Sequence, residues 1–218
     1  MSKIIIFGTK ENSELAHYYL KNDSDHEVIA FCVDGKYLES SNFNGLPVVA
    51  FEDLEKTCPP TEYKFIAPLA PTSMGLIRQE VFNRVCGKGY EFISYISSRA
   101  TNFSSKIGKN CFILEDNTLQ PYTSIGDNVL MWSGNHIGHH STIRDHVSIT
   151  SHVVISGRCD IGSNSFFGVN STVRDGVKVA EGTFISLGAV ITGDTAPWSV
   201  YKGASAELTK IPSTRVKF

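Results

Sequence analysis

Five of the seven histidines fall within seventeen residues near the middle of the chain: His136, His139, His140, His146 and His152. A neutral imidazole can accept a proton near pH 7, and it is also a frequent metal ligand. The cluster therefore predicts a general base or a metal site. The ordinary alternative is that each histidine is a solvated surface residue.

These histidines lie inside a six-residue repeat that runs without interruption from Ile107 to Thr195. All fifteen hexads begin with an apolar residue, small or β-branched residues are frequent at the fifth position, and glycine recurs at the second or fourth. A helix would need apolar residues three and four apart, so this period predicts a hexapeptide parallel β-helix. Three hexads form one triangular coil, which gives five coils whose first-position residues fill the core. Glycines are expected at corners that need a positive φ.

The coil geometry decides between the two kinds of histidine site. His140, His146 and His152 share the fourth hexad position, so they should lie on successive corners. Six extended residues reach at most roughly 20 Å, which puts the corners more than about 10 Å apart. Zinc needs all its ligands about 2 Å from one point. No metal is therefore expected, and His139, which follows Gly138 at a corner, is the candidate general base.

Strand and helix signals alternate before the repeat. Apolar runs predict strands at 3–7, 26–33, 47–51, 64–70 and 92–96. Helical spacing follows the first and fourth of these runs, and this alternation is typical of a parallel α/β sheet.

The predicted fold class is thus an α/β N-terminal Rossmann-like domain followed by an all-β left-handed parallel β-helix of hexapeptide repeats. The predicted domains span residues 1–98 and 99–218. The basic end from Lys210 to Lys217 is expected to cap the last coil.

The ends of the first two predicted strands are candidate ligand sites, because ligands of such sheets bind beyond the carboxyl ends of the strands. These positions are Gly8, Thr9, Lys10, Asp34 and Gly35. The first turn is not GxGxxG, so a dinucleotide is not expected, but a helix N-terminus can still bind phosphate. An acidic residue after the second strand often contacts a ribose, although Asp34 and Gly35 could simply form a turn.

The composition excludes several other classes of protein. The net charge of −2, with both signs interspersed, predicts neither nucleic-acid binding nor a basic membrane surface. No apolar run approaches the length of about 18 residues that spans a membrane, and the N-terminus lacks a signal-peptide pattern. Five cysteines without paired spacing fit reduced thiols, so a cytoplasmic protein is expected.

The Gly138-His139-His140 motif, within residues 134–143, resembles the catalytic segment of the NeuD-like and PglD-like sugar acetyltransferases. Residues 155–162 and the ending at 200–203 are also similar, and the resemblance covers essentially the full chain. The family includes sialic acid O-acetyltransferases and N-acetyltransferases of nucleotide-linked amino sugars. The resemblance implies a homotrimer that binds acetyl-CoA between neighbouring β-helices and a nucleotide sugar on the N-terminal domain.

By position, His139 matches the catalytic base of the family, and His140 stands where Asp or Glu is usual. The positions that match the acetyl-CoA site are Ser148, Gly157, Gly188 and Lys202. Ser148 replaces a histidine of some relatives, and residues 203–206 lack the proline of the family's closing Gly-x-Pro-Ala. Gly157 should stack one coil above His139, since the two are eighteen residues apart.

The resemblance implies an acetyl-CoA-dependent N-acetyltransferase of polysaccharide biosynthesis, with His139 as general base and no metal. The missing carboxylate beside His139 favours an amine over a hydroxyl, which is the weaker acid. Asp34→Ala should then raise the KM of the nucleotide sugar alone. A sugar O-acetyltransferase is the alternative within this class. A metal-dependent hydratase of the γ-carbonic-anhydrase type and a non-catalytic scaffold are the alternatives from other classes.

Overall fold

The computed structural model describes residues 1–206, 208 and 213–215. Its helices are α1 (Glu11–Asn22), α2 (Leu54–Thr57) and α3 (Leu76–Gly87). The strands that alternate with them are β1 (Lys3–Phe7), β2 (Glu27–Val33), β3 (Asn42–Phe43), β4 (Leu46–Ala50), β5 (Tyr63–Ile66) and β6 (Glu91–Phe92). Short 3-10 turns cover Gly35–Tyr37, Phe51–Asp53, Thr72–Gly75 and Ser213–Arg215.

The N-terminal strands form one sheet in the order β3-β4-β2-β1-β5-β6. All pairs are parallel except the edge pair of β3 with β4. Ile4, Ile5 and Ile6 of the central β1 are fully buried, because both faces of the sheet are covered. The chain builds outward on one side of β1 and then on the other, which leaves a crevice at the carboxyl ends of β1 and β5. The α/β prediction is confirmed.

Beyond β6, the described chain forms eighteen two-residue strands in three parallel sheets. They are β7 (Tyr95–Ile96), β8 (Thr101–Asn102), β9 (Lys106–Ile107), β10 (Phe112–Ile113), β11 (Thr118–Leu119), β12 (Ser124–Ile125), β13 (Leu130–Met131), β14 (His136–Ile137), β15 (Thr142–Ile143), β16 (Ser148–Ile149), β17 (Val154–Ile155), β18 (Asp160–Ile161), β19 (Phe166–Phe167), β20 (Thr172–Val173), β21 (Lys178–Val179), β22 (Phe184–Ile185), β23 (Val190–Ile191) and β24 (Val200–Tyr201). The sheets are β24-β22-β19-β16-β13-β10-β7, β23-β20-β17-β14-β11-β8 and β21-β18-β15-β12-β9.

The strands pair with the register that the repeat predicts. Ile125 lies beside Ile143, and Ile137 beside Ile155, so residues eighteen apart are neighbours in the sheets. The first residues of the hexads fill one continuous apolar core that runs the length of the solenoid. Full burial of a side chain of this size stabilises the fold by roughly 1.5–3 kcal/mol. The hexapeptide parallel β-helix is therefore confirmed.

The solenoid is longer than the repeat predicts. Tyr95 and Ile96, expected to end a strand of the α/β sheet, pair instead with β10 as the first rung of the helix. The backbone changes partner here: the N–H of Ile93 donates to Phe65 of the α/β sheet (2.9 Å), and that of Tyr95 donates to Cys111 of the solenoid (2.8 Å). The predicted single strand 92–96 is thus wrong. At the other end, β24 resumes the pairing beside β22.

Glycines of the repeat have two structural roles, of which the repeat pattern predicts one. Fourth-position residues adopt a positive φ, whether glycine (Gly134, 78°) or not (His140, 58°). Second-position glycines have another reason. A Cβ on Gly138 would lie 2.5 Å from backbone atoms one coil away, and one on Gly126 would lie 2.8 Å from such atoms. Close stacking of coils therefore excludes side chains there.

The α/β sheet and the solenoid are joined by a buried polar contact. Arg78 of α3 is 1% exposed and donates to the backbone oxygens of Asn128, His146 (2.8 Å) and Val147 (3.3 Å). Burial lowers the pKa of Arg78 to about 10, so the guanidinium stays charged at neutral pH. Its described hydrogen-bond partners include no carboxylate.

The structure bears on two further sequence expectations, which concern the C-terminal cap and membrane-spanning helices. Of the basic end predicted to form a cap between Lys210 and Lys217, the structure describes only the 3-10 turn Ser213–Arg215, and the rest lies outside the described residues. Within them, every helix is too short or too polar to serve as a membrane span.

Candidate active site

The three fourth-position histidines occupy separate corners of the solenoid, as the repeat predicts. His140, His146 and His152 follow strands of three different sheets and all have positive φ. His146 is buried, and its Nδ1 lies 2.9 Å from the Asn128 amide. Burial, with a smaller contribution from Arg78, lowers the pKa of His146 below its usual value, so this histidine is a neutral core residue. The described chain brings no three potential ligands together for a metal ion.

His139 and His140 form a hydrogen-bonded pair at one of these corners. Their Nδ1 atoms are 3.0 Å apart, so one imidazole must donate to the other. The His139 backbone N–H donates to Oε1 of Gln120 (2.9 Å), and Tyr122 packs on the His140 ring with centroids 4.7 Å apart. When Nδ1–H of His139 is the donor, its Nε2 carries the free lone pair that a general base needs. In that tautomer, the hydrogen bond to His140 fixes the orientation of the His139 ring.

Gly157 makes room for the His139 ring. It lies one coil from His139, as predicted, and an ideal Cβ on it would be 2.8 Å from both Cε1 and Nε2 of His139. Any side chain at residue 157 would displace the imidazole. The Gly157 N–H donates to no backbone oxygen of the described residues, and a donor without a partner next to the base is a candidate to stabilise an oxyanion.

Asp175 lies at the same corner, and it is absent from the candidate residues that the sequence suggested. Its Oδ1 would be 2.9 Å from the same Cβ on Gly157, and its Oδ2 accepts a hydrogen bond from Arg158 (2.7 Å). Asp175 follows Gly157 by eighteen residues, so the period alone could have found it.

The four residues predicted to contact acetyl-CoA do not form one site on this chain. Ser148 is 3% exposed, and its hydroxyl accepts a hydrogen bond from Arg78 (2.8 Å). This burial does not fit the expected contact with acetyl-CoA. Gly188 and Lys202 lie near a different corner from Gly157, since they follow β22 and β24 of one sheet, whereas Gly157 follows β17 of another. Gly157 alone of the four lies against His139.

The predicted nucleotide-binding turn lies at the crevice of the α/β sheet. A cavity of about 270 Å³ opens there, lined by Gly8, Lys10, Glu11, Asn12, Ser13, Leu69, Ala70, Thr72 and Ile77. A second cavity of about 210 Å³ is lined by Thr9, Lys10, Tyr37 and Phe43, among others. Lys10 therefore borders both. Leu69 and Ala70 reach this cavity because the strand order places β5 beside β1.

Asp34 and Gly35 have internal partners, contrary to the expected contact with a nucleotide. The Asp34 carboxylate forms a two-pronged ion pair with Arg84, whose Nη1 lies 3.2 Å from Oδ2. The Gly35 N–H donates to Glu52 (2.9 Å). Among the described residues, Asp34 and Gly35 line neither cavity. Asp34→Ala would thus remove a structural ion pair, and it no longer tests nucleotide binding.

Comparisons with known proteins agree with this architecture. Residues 160–193 match the family model described as the hexapeptide repeat of succinyl-transferase. A search of curated protein sequences gave no significant match.

Several solved structures match nearly the whole chain. The acetyltransferase domain of PglB from Neisseria gonorrhoeae FA1090 has a TM-score of 0.79 and 18% identity, over 94% of this chain and all of that one. A histidine-to-alanine mutant of GDP-perosamine N-acetyltransferase from Caulobacter crescentus, in complex with CoA and GDP-perosamine, has a TM-score of 0.82 and 16% identity, over 94% and 98%. WeeI from Acinetobacter baumannii AYE has a TM-score of 0.68 and 16% identity, over 92% and 96%. The chain therefore shares its fold with the acetyltransferase domain of PglB, with GDP-perosamine N-acetyltransferase and with WeeI.

Proposed function

We propose that the protein is an acetyl-CoA-dependent N-acetyltransferase that acts on the amino group of a nucleotide-linked amino sugar. The observation that carries the proposal is the His139 imidazole, oriented by His140 at 3.0 Å and with its Nε2 edge against the bare Cα of Gly157. The fold supports it, because the C. crescentus structures of this fold hold CoA and GDP-perosamine. A fold alone does not define a function, so the proposal depends on the residues of the site.

In the proposed reaction, the sugar ammonium gives one proton to Nε2 of His139. The neutral amine then attacks the thioester carbonyl carbon, and the Gly157 N–H stabilises the oxyanion that forms. The C–S bond breaks as the new C–N bond is completed, and the second amine proton and the CoA sulfur end as free thiol. The net products are the amide, CoA and one proton. Holding both substrates at one corner supplies much of the rate.

The pair of histidines favours an amine over a hydroxyl as acceptor. A carboxylate in place of His140 would make His139 more basic, which is what a weakly acidic hydroxyl needs. A neutral imidazole orients His139 without adding negative charge. A sugar O-acetyltransferase is the second candidate.

The direct test offers acetyl-CoA with matched amino and hydroxy nucleotide sugars and follows thiol release. We expect faster turnover with the amino sugar and little turnover on sugars that lack the nucleotide. Faster turnover with the hydroxy sugar would favour the O-acetyltransferase. Metal analysis together with an acetyl-CoA binding assay distinguishes the hydratase and scaffold alternatives.

The finer structural assignments belong to the same proposal. We propose that the solenoid is left-handed and begins at β7, a few residues before the predicted boundary at 98/99. We also propose that the domain before it is Rossmann-like, because its parallel strands follow the order 3-2-1-4-5 about the central β1. Gly188 and Lys202 would contact acetyl-CoA from a corner that faces a neighbouring protomer. A cytoplasmic location follows from the two proposed substrates.

The protein is expected to be a homotrimer. His139 and Gly157 lie at one corner and Gly188 at another, so a single acetyl-CoA contacts all three when copies pack side by side around a threefold axis. Light scattering should give three times the chain mass of 23.9 kDa. An active species with the mass of one chain would contradict the shared site.

Lys10→Ala is expected to raise the KM of the nucleotide sugar about tenfold and to leave that of acetyl-CoA unchanged. Lys10 borders both cavities at the N-terminus of α1, where its ammonium and the free N–H groups would bind a diphosphate. Steady-state kinetics with each substrate varied in turn measures this. Lys21→Ala, in the last turn of the same helix, is the matched control. A change in the acetyl-CoA KM alone would place the nucleotide elsewhere.

A further inference from the structure

The space beside Nε2 of His139 has a second polar wall. Cε1 and Nε2 of His139 and Oδ1 of Asp175 all lie within 3 Å of the point where Gly157 would carry a Cβ. The base and the carboxylate are therefore no more than about 6 Å apart. The described residues show no ion pair between His139 and Asp175, so the two groups are also more than 4.0 Å apart.

Asp175 is held with one oxygen free. Arg158 donates to Oδ2 (2.7 Å), whereas Oδ1, which faces Gly157, accepts no hydrogen bond from the described residues. The Asp175 side chain is 45% exposed, so a ligand can reach it from solvent. A gap of this width fits one heavy atom that donates to both sides, since N–H···O and N–H···N contacts are about 2.7–3.2 Å long.

We propose that Asp175 is a substrate-binding residue that selects an ammonium acceptor, an inference that rests on the proposed N-acetyltransferase activity. One N–H of the ammonium donates to Oδ1 of Asp175, and another gives its proton to Nε2 of His139. Asp175 takes no proton in this step, and the amine keeps its hydrogen bond to Oδ1 while its new lone pair attacks the thioester. A hydroxyl has a single hydrogen and cannot donate to both groups. Amine selectivity thus follows from counting donors.

The test is the isosteric variant Asp175→Asn, assayed with the matched amino and hydroxy nucleotide sugars. We expect kcat/KM for the amino sugar to fall roughly tenfold to a hundredfold, since a charge-assisted hydrogen bond is lost. The kcat/KM for the hydroxy sugar and the KM of acetyl-CoA should each change by less than about threefold. The ratio of the amino-sugar kcat/KM to the hydroxy-sugar kcat/KM should therefore fall.

Asp160→Asn is the matched control. Asp160 pairs with Arg144 (2.9 Å) at a similar exposure, but it lies in strand β18 and not among the atoms that surround Gly157. Equal amino-sugar kinetics for Asp175→Asn and Asp160→Asn would overturn the inference and leave the proposed function intact. A wild-type protein that acetylates no nucleotide amino sugar would overturn both.

Thermal melting would show whether Asp175→Asn still folds, and a second variant tests the inference if it does not. Arg158→Gln keeps the Asp175 carboxylate but removes the ion pair that holds it. The preference for the amino sugar over the hydroxy sugar should therefore fall by a smaller factor than in Asp175→Asn. Calorimetric binding of the amino sugar nucleotide in the presence of CoA gives a readout without turnover. An unchanged affinity in both variants would also overturn the inference.

Discussion

His139→Ala is expected to lower turnover by about 10²–10⁴-fold, the usual contribution of a general base. The methyl group cannot accept the proton of the ammonium, and no other described side chain hydrogen-bonds with the His139 ring except His140. Because His139 is at a corner and only partly buried, the fold should remain intact. Thiol release at saturating acetyl-CoA measures the loss, and circular dichroism checks the fold.

Two variants show whether the loss is specific to the base. His17→Ala removes a histidine of α1, outside the solenoid, and should leave turnover within about twofold. His140→Asp places a carboxylate beside Nδ1 of His139 and should keep turnover near the wild-type value. His140→Ala removes the hydrogen bond to Nδ1 and should lower turnover about tenfold. Turnover of the His139 variant within a few-fold of wild type would exclude His139 as the base.

Arg78→Met is expected to lower the free energy of unfolding by about 2–5 kcal/mol. The methionine side chain has no hydrogen-bond donor, so the backbone oxygens of Asn128 and His146 would stay buried without the donor that Arg78 supplies. Each such loss costs about 1–3 kcal/mol, and relief from burying an unpaired guanidinium offsets only part of it. Denaturant unfolding followed by tryptophan fluorescence measures the change.

Arg144→Met is the matched control, since Arg144 forms an exposed ion pair with Asp160. Its removal should change stability by less than about 1 kcal/mol. Equal unfolding midpoints for the two variants would show that the Arg78 contact does not hold the α/β sheet on the solenoid. Asn110, which bonds the backbone of Ala67 across the same junction (2.7 Å), would then be the stronger anchor.

The solenoid could be predicted almost entirely from the chain, because its contacts are periodic. Parallel neighbours from β9 to β23 are eighteen residues apart, so the position of an apolar residue in its hexad decides that it is buried. The same rule is enough to place Gly157 against His139 from the sequence alone. The prediction failed at the ends of the repeat, where Tyr95 pairs with the solenoid although no hexad marks it.

The partners of individual side chains depend on packing that no period encodes. Ser148 occupies a regular hexad position, yet Arg78 from a helix seventy residues earlier buries its hydroxyl. Asp34 ends a strand as expected, but Arg84 of α3 takes its carboxylate because the helix packs beside that strand end. The orientation of His139 likewise comes from the rotamers that bring two Nδ1 atoms to 3.0 Å. Rotamers and helix docking respond to the whole surrounding core, so the tertiary structure alone decides which polar groups at the site are free to bind a substrate.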